Sequence, residues 1–311
     1  MRVVIAGLGV QGRKRRNFVG DDYVASVDPV NHEADYKSLP DVPLDNYDAV
    51  LACVPDAAKA ELLAYCVANG KHVLVEKPLL ASADDLLSLQ HRAREKATVI
   101  YTAYNHRFEP HYIRMRDLIS SGALGQIYSC RMFYGNGTAR LVRDSPWRDQ
   151  GAGVLTDLGS HLLDTCRFWF GDIDANFSVT SASNFENRAA DHVIIANESM
   201  RPRIELEMTL LMWRNDFSCD ILAEKGTAHI SSLCKWGPTK FTHRIRTLPS
   251  GRPLEDAQIF CRDDPTWAAE YAHFTKLCEL GLKTDLSNDL WLRHVLSKLG
   301  ADTVIRLGKL Q

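Results

Sequence analysis

A chain of 311 residues, 45% hydrophobic and 24% charged, is long for one domain and natural for two in an ordinary globular protein. Its formal net charge of -2 removes the electrostatic case for nucleic acid or an anionic membrane as partner. No apolar run approaches membrane-spanning length and the chain opens on a strand pattern, not a signal peptide; its eight scattered cysteines, without a CxxC pair or zinc-like spacing, read as reduced thiols in the cytoplasm.

Residues 2–28, RVVIAGLGVQGRKRRNFVGDDYVASVD, read as strand, glycine-rich turn, helix start and second strand ending in an acid. In the turn Gly7-x-Gly9-x-x-Gly12, Gly7 permits the tight bend, Gly9 lets backbone approach a pyrophosphate, and Gly12 lets the helix pack on the strand. The phosphates would sit at the helix N-terminus, against the N–H groups of residues such as Val10 and Gln11. Asp28, followed by Pro29, stands where a carboxylate accepts the adenosine ribose hydroxyls. That carboxylate would repel a 2′-phosphate, and PVNHE (29–33) holds no arginine to bind one, so NAD is favoured over NADP. The run Arg13-Lys14-Arg15-Arg16 reads as solvated helix-face charge, although Arg13 near the phosphates leaves use of both cofactors open.

Further strands are predicted at YDAVLACV (47–54), KHVLVE (71–76) and TVIYTAY (98–104). Between them lie a helix from about Ala57 to Asn69, stopped by Gly70, and one opened by Ser82 with Asp85 in a capping box, running to about Lys96. Strands separated by helices imply a parallel sheet, whose carboxyl ends bind ligands. Those ends carry Gly7, Asp28, Cys53-Val54-Pro55, Glu76-Lys77-Pro78 and Tyr104-Asn105. Lys77 stands out as a lysine on a proline-fixed turn at the mouth of the nucleotide site.

The pattern then changes to strands at 125–135, 174–185, 191–199, 203–213, 216–224, 227–232 and 239–248, several alternating polar with apolar, with Lys225-Gly226 as a hairpin turn. One helix interrupts them at 155–170, stopped by Gly171, and helical patterns at 265–281 and 287–308 close the chain. The fold class is therefore α/β. An N-terminal doubly wound Rossmann domain (1–118) precedes a C-terminal α+β domain (119–311) with a large, mostly antiparallel open-faced sheet, and the last helix is free to pack back on the first domain. Asp157, His161 and Asp164 share one helix face at i, i+4, i+7. They read as a surface stripe, a metal pair or an acid–base site. No third His or Cys nearby supports the metal, and none is expected.

The segments GLGVQG (7–12), EKP (76–78), NHRFEP (105–110), PWR (146–148), GAGVLTDLGSH (151–161) with Asp164, and AEKGT (223–227) resemble the glucose–fructose oxidoreductase / inositol dehydrogenase family, Gfo/Idh/MocA, across essentially the whole chain. The resemblance implies that Lys77, Asp157 and His161 surround a reacting carbon. A secondary alcohol would give hydride to the nicotinamide, with His161 as base oriented by Asp157 and Lys77 stabilising the oxygen, or with the roles of Lys77 and His161 exchanged. Lys59 departs from the histidine many members carry there. The loop GNGTARLVRDSPWRDQ (135–150) brings Arg140, Arg143 and Arg148, which could clamp a phosphate or stay solvated, and Trp147, which could stack on a sugar or anchor the loop. Arg107 of NHRFEP joins these as a substrate contact. Length and the NHRFEP region are most similar to bacterial UDP-N-acetylglucosamine 3-dehydrogenases, which implies oxidation of the sugar's 3-hydroxyl for lipid A synthesis. The alternatives are an inositol or free-sugar dehydrogenase, or a non-catalytic NAD-binding regulator. The family also implies a homo-oligomer, dimer or tetramer, formed through the second sheet.

Overall fold

Five parallel strands, β1 (Val3–Ala6), β2 (Tyr23–Val27), β3 (Ala49–Ala52), β4 (His72–Glu76) and β5 (Ile100–Ala103), lie in the order β2-β1-β3-β4-β5 in the computed structural model, which describes residues 1–145, 148–199 and 201–308. β1 and β3 are buried at every position because helices cover both faces, so they read as continuous apolar runs rather than alternations. Successive side chains still point to opposite faces. Val4, Ala6 and Val50 pack under α2 (Asp56–Ala68) and α3 (Ala83–Glu95), through Leu63, Val67, Leu86 and Leu89. Val3, Ile5 and Leu51 pack under α1 (Val10–Val19) and, from far along the chain, a helix at Thr266–Glu279, through Val19, Tyr271 and Phe274.

That distant helix changes the domain division. The first unit comprises Met1–Asn105 with Thr266–Arg293, and the second His106–Pro265 with the chain from His294 onward. The boundary expected after residue 118 falls inside α4 (Pro110–Ser120) of the second unit. The long last helix, Ser287–Gly308, belongs to both units.

The second unit holds an eight-stranded sheet. Its strands are β6 (Ile127–Gly135), β7 (Ser178–Ser183), β8 (His192–Asn197), β9 (Arg203–Thr209), β10 (Asp216–Ala223), β11 (Gly226–Ser231), β12 (Thr239–Ile245) and β13 (Leu254–Phe260), in the order β13-β12-β11-β10-β6-β9-β8-β7. Among the described residues of this sheet, only β6 and β9 pair in parallel. The strand β13 was not expected: all but its last residue are exposed, so no apolar face marks it. The hairpin turn falls on Glu224–Lys225, one residue before the predicted pair, because Ala223 pairs with Gly226.

Helices α4, α5 (Ala139–Arg143) and α6 (Ser160–Phe170) belong to this unit, and α7 (Thr266–Glu279) and α8 (Ser287–Gly308) complete the chain. The expected single helix at 155–170 is instead a π-helical segment, Leu155–Gly159, running into α6, which ends at left-handed Gly171 as predicted. A Cβ on Gly159 would stand 2.8 Å from the Met208 sulfur, so glycine there lets this segment lie close on β9. All eight cysteines are free thiols, and among the described residues no helix is long and apolar enough to cross a membrane.

Candidate functional site

Strand order reverses between β1 and β3, and the glycine turn lies at the carboxyl end of β1, where open parallel sheets bind ligands. Gly7 has φ +92°, and a Cβ there would stand 2.4 Å from the Cys53 carbonyl oxygen. A Cβ on Gly12 would overlap the Gly7 carbonyl at 1.8 Å, so helix and strand meet here through bare backbone. At Gly9, by contrast, a Cβ would meet nothing within 4 Å. Gly9 is the N-cap of α1, which has no side-chain cap and no acid in its first turn, and Val10 and Gln11 are exposed. The open backbone beside an uncapped helix N-terminus fits a pyrophosphate.

Asp28 braces this turn. Its carboxylate accepts the N–H groups of Leu8 (2.8 Å), Val30 (2.9 Å) and Asn31 (2.8 Å). Burial opposes its charge, but those three donors outweigh burial and hold the carboxyl below its usual range. Asp28→Asn is expected to weaken dinucleotide binding about tenfold, ~1.4 kcal/mol, by calorimetric titration. Because the folded carboxyl is the stronger acid, its stabilising contribution is full above the unfolded value of about 3.9 and is lost as pH falls through the folded one. The stability gap between wild type and this variant therefore narrows on acidification. Pro29 is exposed beside it.

The basic run on α1 is not uniformly solvated. Arg13 pairs with Glu33 at 2.5 Å on the surface and Arg16 lies over the Tyr23 ring. Arg15 is buried between Glu76 (2.8 Å) and Glu270 (2.6 Å), over the Trp267 ring. Glu76, expected to touch the cofactor, thus has an oxygen committed to Arg15. Cys53, at the end of β3, is a protonated thiol, pushed well up chiefly by burial. Val54 is half-buried and Pro55 caps α2. Asn105 donates to the Thr266 hydroxyl at 2.8 Å. Lys77 is half-buried on a cis Lys77–Pro78 peptide. Beneath that turn lies Lys59, buried, with Nζ 2.8 Å from the Pro78 carbonyl oxygen and 2.6 Å from Asp56. The residue that departs from the family pattern thus ties the start of α2 to the Lys77 turn.

In the second unit, His161 is buried at 8% exposure and stacks on His106, with ring centroids 4.0 Å apart and planes 18° from parallel. Tyr134 meets it edge-on at 6.0 Å. His106 Nε2 lies 2.9 Å from Lys235 Nζ. The residues grouped on one helix face take separate partners. Asp164 is buried and held by Arg107 through two contacts, one at 2.8 Å from Nε. Asp157, in the π-helical segment, pairs with Arg148 at 3.5 Å. Arg107 and Arg148, expected to contact substrate, are therefore engaged with carboxylates of the same unit. Arg140 and Arg143 lie exposed on α5, and Trp147 is outside the described residues. Burial, with the Asp157 charge nearby, pushes the Tyr134 phenol well up. Among the described residues no cluster of three His, Cys, Asp or Glu could hold a metal.

Sequence reasoning passed over His106, Tyr134 and Lys235 as parts of these clusters, and noted Lys59 only as a departure from the family pattern. His106 sits inside the quoted NHRFEP segment, whereas no local pattern distinguishes Lys235 from other surface-type lysines.

Residues 3–104 match the family model described as "Oxidoreductase family, NAD-binding Rossmann fold", and residues 112–229 match "GFO/IDH/MocA C-terminal domain". The chain belongs to the Gfo/Idh/MocA oxidoreductase family. It is 31% identical over 127 residues to scyllo-inositol 2-dehydrogenase (NADP(+)) IolW of Bacillus subtilis (strain 168), covering 40% of this chain and 35% of that protein. It is 29% identical over 156 residues to levoglucosan dehydrogenase of Pseudarthrobacter phenanthrenivorans (strain DSM 18606 / JCM 16027 / LMG 23796 / Sphe3), covering 49% and 40% respectively. The matches thus span less than half the length of these two relatives. A solved levoglucosan dehydrogenase in complex with NADH and levoglucosan shares the fold, with TM-score 0.79 and 17% identity over 98% of this chain and 97% of that one.

Proposed function

We propose that this Gfo/Idh/MocA member is an NAD-dependent dehydrogenase that oxidises a secondary alcohol of a polyol or free sugar, or reduces the matching ketone. The observation that carries the reading is the buried, stacked His161 in a chain whose glycine turn is built to receive a dinucleotide. The relatives named for inositol and levoglucosan support this alternative rather than the UDP-N-acetylglucosamine reading with its link to lipid A. A binding-only regulator would have no use for a buried imidazole or for Lys77.

A nicotinamide dinucleotide held at the glycine turn would supply the hydride acceptor or donor. His161 accepts the hydroxyl proton as the carbon–oxygen bond gains double-bond character. Lys77 donates to that oxygen and stabilises its negative charge, and Asp157 biases the imidazole by its own charge. The preference for NAD rests on Asp28, whose carboxylate repels a 2′-phosphate, and on Arg13, whose guanidinium is taken by Glu33. A homo-oligomer through the second sheet is part of the same reading, and its support is the outer strand β13, where Leu254 and Ile259 stand 70% and 63% exposed.

Absorbance at 340 nm, with NAD or NADP against inositols, levoglucosan, glucose and UDP-N-acetylglucosamine, tests this directly. Reduction of NAD with a polyol or free sugar is expected, at least tenfold faster than with NADP. Activity confined to the sugar nucleotide would restore the narrower reading, and silence across the panel would sink the enzymatic one.

A further inference from the structure

The stacked imidazoles of His106 and His161 pose a chemical question, because both sit in one buried cluster of the second unit and either could carry a proton. Two imidazolium rings 4.0 Å apart would repel strongly, so the pair holds at most one charge near neutrality. Something must decide which ring takes it.

Lys235 makes that decision. Its ammonium carries three donors and no acceptor, so a contact of 2.9 Å to His106 Nε2 requires that nitrogen to present its lone pair. His106 is then the neutral Nδ1–H tautomer, and protonating it would cost that hydrogen bond and set a cation against Lys235. Lys235 has a second contact. It lies 4.7 Å from the Trp236 ring centroid, a cation–π contact. Glu109, 1% exposed, lies within its electrostatic reach, and the Lys235 charge partly offsets the burial that raises the Glu109 carboxyl.

The remaining groups around the pair sharpen the contrast. His106 is enclosed by Tyr112 at 5.9 Å and Tyr134 at 5.4 Å, both phenols pushed well up by burial and so uncharged. His161 shares Tyr134 and has on its own helix the carboxylate of Asp164, paired to Arg107, with Asp157, paired to Arg148, in the π-helical segment before it. Asp264 acts on Glu109 and lies on the chain leading to the first unit. A lysine thus meets His106 directly, whereas the carboxylates nearest His161 in sequence are each paired with an arginine.

We infer that Lys235 locks His106 as a neutral spacer, so that His161 alone of the stacked pair takes up and releases a proton. His106 and Lys235 are positioning residues: they act through His161. That this proton is the substrate's rests on the dehydrogenase reading, but the lock itself does not.

The test uses the full chain with ring-¹⁵N-labelled histidine, without cofactor or substrate, and follows the nitrogen shifts of both rings from pH 5 to 9. In wild type, His106 is expected to keep one protonated and one lone-pair nitrogen throughout while His161 titrates in a single step. In Lys235→Met, His106 should titrate as well, and the pair should lose its protons in two coupled steps separated by about one pH unit or more. Lys235→Arg, whose guanidinium also only donates, should restore the wild-type pattern, a rescue that mere packing would not produce. His106→Phe keeps a stacked ring, and in that background removal of Lys235 should leave the His161 titration a single step. If Lys235→Met does not fold, Lys235→Gln gives the same comparison without the charge. The inference is overturned if His106 takes up a proton in wild type within this range, or stays neutral in Lys235→Met. A chain that obeys the lock yet shows no turnover would reject the dehydrogenase reading and leave the lock standing.

Discussion

Replacing Lys77 with alanine is expected to lower kcat on the true substrate by about 10²-fold or more, about 2.7 kcal/mol of barrier, while NAD affinity stays within about twofold. The size follows from the role proposed for it. A donor aimed at an oxygen that gains negative charge is worth more in the transition state than in the ground state, so its loss falls on kcat rather than on KM. A lysine that only gripped substrate would do the reverse, raising KM with kcat unchanged. The structure supplies a reason for the turn that carries it to hold its position. The turn that carries Lys77 is fastened from below by Lys59, whose buried Nζ donates to the Pro78 carbonyl at 2.8 Å. Burial lowers the proton affinity of Lys59 and Asp56 beside it opposes that, so its bond to the turn is charge-assisted. Steady-state rates at 340 nm and a direct NAD titration separate the cases. Wild-type turnover in Lys77→Ala would remove this side chain from the chemistry.

The first unit was legible because its signals are local. The glycine turn needs positive φ at Gly7 and bare backbone at Gly12, and only glycine meets those demands. The Ser82 cap is likewise local: its hydroxyl accepts the Asp85 N–H at 3.0 Å as the spacing implied. The second sheet could be read wherever one face is buried, as in β10 and β11, whose burial alternates. Where no face is buried the signal vanishes, which is why β13 went unseen. The π-helical turn at Leu155–Gly159 has no single-sequence signature, and it places Asp157 outside the regular helix that carries His161 and Asp164. The division into units differs from the expected one for another reason. Thr266–Arg293 returns to a unit whose other part ended at Asn105, and periodicity marks a helix without naming the sheet it covers. Partner choice was hardest of all. Nothing in RKRR distinguishes Arg15 from its neighbours, because the carboxylate that buries it, Glu270, lies 255 residues away.

That arginine sets the other large effect. Arg15→Met is expected to destabilise the protein by about 3–5 kcal/mol, lowering the melting temperature by roughly 10 °C in a scanning calorimeter. Burial alone would weaken the charge on Arg15, but Glu76 and Glu270 outweigh it and hold the guanidinium charged. Methionine fills much of the volume, so the loss is mainly electrostatic: Glu270, 0% exposed, loses the Arg15 guanidinium and Glu76 loses one donor. The effect should depend on pH with a definite sign. In the variant, Glu270 binds its proton more tightly folded than unfolded, so stability recovers as pH falls toward the unfolded glutamate value of about 4.3 and declines as pH rises through the raised folded one. Wild type, with the carboxylate paired, should show no such recovery. Adding Glu270→Gln to Arg15→Met should restore part of the loss at pH 8, because the uncompensated charge and not the missing contact carries most of the cost. A double variant no more stable at pH 8 than Arg15→Met would show instead that α1 needs the guanidinium for packing against Trp267, whose ring centroid lies 4.4 Å from it.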